Sequence, residues 1–398
     1  MAWLSGSRNL ALQAIAILLI CGTLPTLVGA QGIKLTPAQR ARARGELPLT
    51  SFYNTPVPLP AGNPGDLIRS QPFDDYDLPD GISAVRILYH SVGATGSDVA
   101  ASAVVLIPRG PGPKGGWPII AWAHPFIAVA RPCAPSLMRG LGSGSALNMY
   151  ANLGYVVVAT DYTGLGTAFR NAGFDLQSNA TDVINAVRAA RKVLPQLGAK
   201  WIAIGVGNGG ASALSAAELM IQDKDDVGAI SISGALDLKN ATDQAARGAW
   251  QDSFAYLAYG IKTVSPSFRL QDMLLPKSLA RYDAVTVTCS VPPLKTPLTS
   301  AESLKPGWES SKYVDNFFQR NTLGRKPASA PMLIISAEDS RDSIDARVVS
   351  RMCDQKDRID FKAYPGVDPN DLIGTTIATQ MAWIKARFEG RMTQNTCR

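Results

Sequence analysis

Residues 200–214, KWIAIGVGNGGASAL, read as a short buried strand, a sharp turn and a helix of small residues. Gly205 and Gly209 flank the turn, where any side chain would collide with it. Residue 207, between them, is also glycine. A strand feeding directly into a helix that narrow needs a sheet for the helix to lie against.

The rest of the chain supplies the sheet. Runs at 86–91 and 99–107 read as strands, with 93–96 as the turn between them. Apolar runs at 117–123 and 154–160 are buried strands, the second dominated by β-branched residues. A helix at 178–197 has Val183, Val187, Ala190, Leu194 and Leu197 on one face. Strands follow at 201–205 and 227–233. Strands alternating with helices imply parallel pairing and an α/β sheet covered on both faces. The alternation stops near Asp237. From there to about Ala330 the chain is helical and irregular, with Pro266, Pro276, Pro292, Pro293, Pro297 and Pro306. It resumes with a strand at 331–336, a helix at 343–352, a strand at 359–364 and a closing helix at 372–388. That helix presents Ile377, Met381, Ile384 and Phe388 on one face. The expected division is a core in two parts, 31–236 and 331–398, with a helical cap inserted at 237–330. A short polar helix is expected at 36–46.

Residues 1–30 read as a signal peptide: Arg8, an apolar run from about Leu10 to Ile20, then small residues and cleavage after Ala30. Gln13, Gly22 and Pro25 interrupt the run, which disfavours a membrane anchor. No other segment is apolar enough to span, so the expected location is secreted or periplasmic. Export fits the cysteines. Cys21 leaves with the signal, and Cys133, Cys289, Cys353 and Cys397 remain, an even set that suggests disulfides in any of three pairings. No cysteine or histidine cluster points to a metal, and nothing points to a cofactor. The net charge of +7 is scattered along the chain, which argues against nucleic acid as a partner. Protein partners are not legible. Asn179 and Asn240 open Asn-x-Thr sequons, relevant only in a eukaryotic host. With 398 residues, 46 % hydrophobic and 18 % charged, the chain has material for a large core carrying an insertion.

With these pieces placed, the chain resembles the secretory lipase family of α/β-hydrolases, the capped lipases of bacteria and fungi. The segments that carry the resemblance are GGWPIIAWAH at 115–124, CAPS at 133–136, GYVVVATDYTGLG at 154–166, AVRAAR at 186–191 and YPG at 364–366. The resemblance implies an α/β-hydrolase fold, a mostly parallel central sheet flanked by helices with an inserted helical cap. It implies an ester hydrolase using serine, aspartate and histidine in that chain order. It also favours the pairing Cys133–Cys289 and Cys353–Cys397.

Set against that pattern, the chain departs at several positions. The nucleophile position is Gly207, which cannot form an acyl-enzyme, and no other G-x-S-x-G occurs. The acid position is Asp339, with Glu338 and Asp342 beside it. The histidine position, shortly after 364–366, is taken by Pro369. The two histidines of the chain, His90 and His124, lie far upstream. In the oxyanion region His124 matches the family's His-Gly motif, but Pro125 replaces the glycine and has no N–H to donate. The N–H of Asn208 is the remaining donor. Three altered parts of one mechanism imply a pseudoenzyme whose old cleft holds an apolar or acyl-ester small molecule. The alternative is a triacylglycerol lipase or carboxylic ester hydrolase of lipid catabolism using non-standard groups, with His124 as base and Asp339 activating water.

Overall fold

The computed structural model describes residues 45–220, 224–247, 252–292, 294–296, 298–337 and 343–397, with only the backbone at 243–247. The expected signal segment and nearly all of the expected helix at 36–46 lie outside the described residues.

Nine strands form one sheet: β1 (Leu67–Pro72), β2 (Ile82–Val92), β3 (Asp98–Pro108), β4 (Trp117–Ala123), β5 (Val156–Thr160), β6 (Leu197–Val206), β7 (Asp226–Ile232), β8 (Met332–Ser336) and β9 (Ile359–Ala363). Their spatial order is β1-β2-β3-β5-β4-β6-β7-β8-β9. The first three strands and the β3–β5 pair are antiparallel, and every pair from β5 to β9 is parallel. β6 therefore lies between β4 and β7, at the centre of the parallel half.

The period-two geometry of strands sorts the residues between two faces. Ile119, Ala121, Val158, Trp201, Ala203, Ala229 and Ile334 face α2 (Leu176–Val193), α3 (Asn208–Leu219) and α8 (Ile344–Asp354). Ile120, Trp122, Val157, Ile202, Ile204, Ile230 and Ile335 face α1 (Gly144–Asn152) and α9 (Ile377–Phe388). Both faces are covered, which explains why the central strands read as unbroken apolar runs.

Helix ends differ from the sequence reading for identifiable reasons. α2 starts at Leu176 because the Asp175 carboxylate caps it, accepting from the Ser178 N–H at 3.2 Å. It ends at Val193 because Pro195 drives Leu194 out of the helical region. The closing helix is interrupted at Thr376, which separates a short turn, Leu372–Thr375, from α9. The Thr376 hydroxyl donates to the Leu372 carbonyl at 2.6 Å, and Gln380 donates to that hydroxyl at 2.8 Å. β1 had no apolar alternation to announce it, being a half-exposed edge strand.

Between β7 and β8 the chain forms α4 (Leu238–Arg247), α5 (Ser253–Val264), α6 (Pro276–Val285) and α7 (Lys312–Arg320). These pack a separate apolar cluster around Phe254, Leu257, Ile261, Phe268, Trp308 and Phe317, joined by Val129 and Phe174 from the sheet side. The returning segment is fastened to the core. Arg320 pairs with buried Asp175 at 2.7 Å, Asn321 accepts from the Leu176 N–H at 2.6 Å, and Glu218 accepts from the Gly324 N–H at 2.7 Å.

Both disulfides join the expected partners. Cys133–Cys289, with Cα atoms 5.3 Å apart, ties the loop after β4 to the segment after α6. Cys353–Cys397, at 5.2 Å, ties α8 to the C-terminal tail. Among the described residues, no helix is long and apolar enough to cross a membrane.

Candidate functional site

The turn from β6 into α3 is built by close backbone contact. A Cβ on Gly205 would lie 2.2 Å from the Gly209 carbonyl oxygen, and one on Gly209 would lie 2.1 Å from that of Ala123. Both glycines are steric requirements. Gly207 differs. Its backbone sits at φ 56°, ψ −126°, a strained conformation for any other residue, yet a Cβ there would have space. Its N–H donates to the Ile232 carbonyl at 3.1 Å, and its carbonyl accepts from Ala211 and Ala235. The turn thus has the shape that presents a side chain, and glycine presents none.

Gly207 and Asn208 open onto a cleft of about 480 Å³. Pro125 and Phe126 from the loop after β4, Phe174 before α2, Leu238, Ala241 and Thr242 of α4, Ser253 of α5, and Pro369 and Asn370 also line it. Gly207, Asn208, Pro125 and Pro369 are therefore brought to one place. Phe126 stacks on Phe174 with centroids 4.3 Å apart and meets Tyr256 edge-on at 4.9 Å, giving an aromatic wall. Asp339, with Glu338 and Asp342, lies outside the described residues.

Pro369 sits in a self-supporting turn. The Tyr364 N–H donates to the end of β8 at 2.8 Å, Gly366 adopts φ 79°, and the Asp368 carboxylate accepts from the Asn370 N–H at 2.8 Å. Neither histidine is among the residues lining the cleft. His124 is 3 % exposed and stacked on Tyr162 at 4.1 Å. Its Nδ1 lies 2.7 Å from the Pro125 carbonyl and its Nε2 lies 3.2 Å from the Asp161 carbonyl. Burial pushes its pKa down to about 4, against the two carbonyls, which raise it. Both ring nitrogens are turned towards main chain, so the geometry suits a spacer beneath the elbow better than a base. His90 lies in the β2–β3 hairpin, paired with Asp98 at 2.9 Å.

Behind the cleft lies a buried polar network. Asp161 accepts from the Ser102 hydroxyl at 2.6 Å and from the Ser136 N–H at 2.8 Å and hydroxyl at 2.5 Å. Arg86, 1 % exposed, donates to the Tyr76 hydroxyl at 2.7 Å and the Ser136 carbonyl at 3.0 Å, and its guanidinium lies 3.2 Å from the Phe73 ring centroid. Asp182 accepts from the Thr163 N–H at 2.7 Å and from Ser91. Desolvation pushes both aspartates up to about 6, opposed by these hydrogen bonds. The segments at 133–136 and 154–166 that carry the resemblance are thus largely scaffold, because they hold the Cys133 loop against β5.

The residues missed by sequence reasoning are the lining ones: Phe126, Phe174, Leu238, Thr242 and Ser253. They come from separate elements and share no spacing.

No protein-family model matches the chain, and no curated protein matches it in sequence. Solved structures do. Candida antarctica lipase A superposes with a TM-score of 0.73 at 16 % identity, over 88 % of this chain and 89 % of that one. The rice cell wall degrading esterase LipA from Xanthomonas oryzae gives 0.64 at 18 % identity, over 82 % and 98 %. A putative hydrolase from Legionella pneumophila gives 0.65 at 16 % identity, over 82 % and 100 %. At such identities the likeness is one of fold. With a mostly parallel nine-stranded sheet and a glycine-flanked elbow at its centre, this chain is an α/β-hydrolase-fold protein of the build shared by these lipases and esterases.

Proposed function

We propose that this is an exported, catalytically degenerate hydrolase-fold protein that binds an apolar or acyl-ester small molecule in the cleft beneath a cap formed by 237–330. The observation that carries the reading is the pairing of Gly207 with Pro369 on one cleft wall. The nucleophile position keeps its backbone shape without a hydroxyl, and the base position offers no nitrogen lone pair. Pro125 removes a further N–H from the oxyanion region, where one donor contributes roughly 3–4 kcal/mol to a transition state. The mainly apolar lining and aromatic wall support retention of a ligand. Two disulfides support an oxidising destination, in keeping with the signal segment expected from the sequence at 1–30.

Hydrolysis of short and long acyl esters tests the catalytic half. The expected result is no turnover above background for the natural chain, for Gly207→Ser or for Pro369→His. The double variant is expected to show weak turnover, since nucleophile and base act as a unit. Robust hydrolysis by the natural chain, lost on Asp339→Ala or His124→Ala, would overturn the reading.

A further inference from the structure

The inserted helices rejoin the sheet through residues 321–331, between α7 and β8. Side chains of the core hold this segment down. The Gly324 N–H donates to Glu218 at 2.7 Å, the Ala328 N–H to Asp357 at 2.8 Å, and the Ser329 hydroxyl to Asp226 at 2.7 Å. Gly324 has little room to spare. A Cβ there would lie 3.0 Å from both the Arg351 Cβ and the Met352 nitrogen of α8. The segment is thus pinned between α3, which carries Glu218, and α8.

Glu218 is the anchor whose charge is least provided for. It is 7 % exposed and, among the described residues, accepts one hydrogen bond, where a carboxylate has about four acceptor sites. Asp175, which holds Arg320 just ahead of the segment, instead accepts from that guanidinium through both oxygens and from the Ser178 N–H and hydroxyl. Burial is the largest influence on Glu218 and pushes its pKa from 4.5 up to about 7. The Gly324 hydrogen bond opposes this, the Asp357 carboxylate adds to it, and Lys326 and Arg351 oppose it. Beside Glu218 lies a cavity of about 250 Å³, lined also by Gln177, Ser215, Arg320, Arg325 and Lys326. Displacement of the segment therefore has room to bring the carboxylate into water.

We infer that this segment is a strap released by alkalinity: ionised Glu218 lets Gly324 out from between α3 and α8 and frees the returning end of the inserted helices. This does not depend on the cleft holding a ligand. The sign follows from burial. Neutral Glu218 suits the closed strap, whereas ionised Glu218 favours an opened strap in which water reaches it. The strap is held in acid and freed as pH rises through about 7. Amide hydrogen exchange of the natural chain and of Glu218→Gln, from pH 5 to pH 8, provides the test. Glutamine keeps an oxygen that accepts from Gly324 and cannot ionise. At pH 5 the Gly324 amide is expected to exchange within about tenfold of the same rate in both chains, and at pH 8 about a hundredfold or more faster in the natural one. Relative to its intrinsic rate, it should then also exchange about a hundredfold or more faster than Ala121 of β4, which marks opening of the strap without the sheet. Asp357→Asn removes the carboxylate that disfavours the Glu218 charge, and is expected to bring the acceleration to its plateau at lower pH. That variant preserves the test if Glu218→Gln does not fold. A ratio between the two chains that stays near unity up to pH 8 overturns the inference. So does equal protection of Gly324 and Ala121, since only unfolding of the whole chain would then relieve Glu218.

Discussion

A Cβ built on Gly207 has the Pro125 Cβ as its nearest neighbour, 3.8 Å away, an ordinary van der Waals contact. The flanking glycines have no such room. Gly207→Ala is therefore expected to cost only the backbone strain of its positive φ, about 1–3 kcal/mol. Gly205→Ala and Gly209→Ala are expected to cost about 3 kcal/mol or more, because backbone must move in each case. Urea midpoints of the three variants rank them, and a Gly207→Ala cost equal to the other two would refute the steric account.

Arg86 makes its two hydrogen bonds and lies over Phe73 at once, which requires a planar fork. A lysine cannot reproduce that geometry. Arg86→Lys is expected to lower stability by about 2 kcal/mol or more. Chemical denaturation checks this, and a loss below about 0.5 kcal/mol would show that the network tolerates a point charge.

Acidity should stabilise this fold over part of its range. Asp161 and Asp182 are pushed by burial from 3.8 up to about 6, and Glu218 is pushed from 4.5 up to about 7. The folded state then binds more protons than the unfolded chain between about pH 4 and 7. Their contribution is fully present below the unfolded values and is lost as pH rises through about 6 to 7. Thermal midpoints should rise from pH 7.5 to pH 5, by an amount reflecting a few kcal/mol. Asp161→Asn should flatten the profile. A midpoint that falls steadily on acidification would contradict the burial argument.

The C-terminal tail is held to β9 by both backbone and side chains. The Thr396 N–H donates to the Ile359 carbonyl at 2.5 Å, the Ile359 N–H to Asn395 at 3.0 Å, and the Phe361 N–H to the Thr396 hydroxyl at 2.9 Å. Replacing Cys353 and Cys397 with alanine is expected to cost about 2–4 kcal/mol. Amide exchange at Ile359 and Phe361 should accelerate well beyond the rest of the sheet. Unchanged protection at both would mean that the tail holds without its bridge.

The sheet was legible because its central strands are buried on both faces. The runs at 117–123 and 201–205 read as strands, and both fall within β4 and β6. The register of α2 and the break at Thr376 were not legible, since each depends on a local cap or side-chain bond rather than on periodicity. At the site, Gly207, Asn208, Pro125 and Pro369 came from motif positions. Phe174, Leu238 and Ser253 reach the cleft only through tertiary folding, and no sequence interval marks them. Of the Arg86–Ser136–Asp161 network, Ser136 and Asp161 were present only as letters within resembling segments, and Arg86 only as the first residue of the run at 86–91. Its partners span three elements, and a buried arginine has no signature distinct from an exposed one.

The tail has a consequence for how this protein is handled. A terminal strand with bare N–H and C=O groups invites pairing with another molecule, and here residues 394–397 occupy that margin of β9. The last few residues therefore act as a guard against self-association. Removal of residues 394–397 would leave that margin of the sheet open to a neighbour.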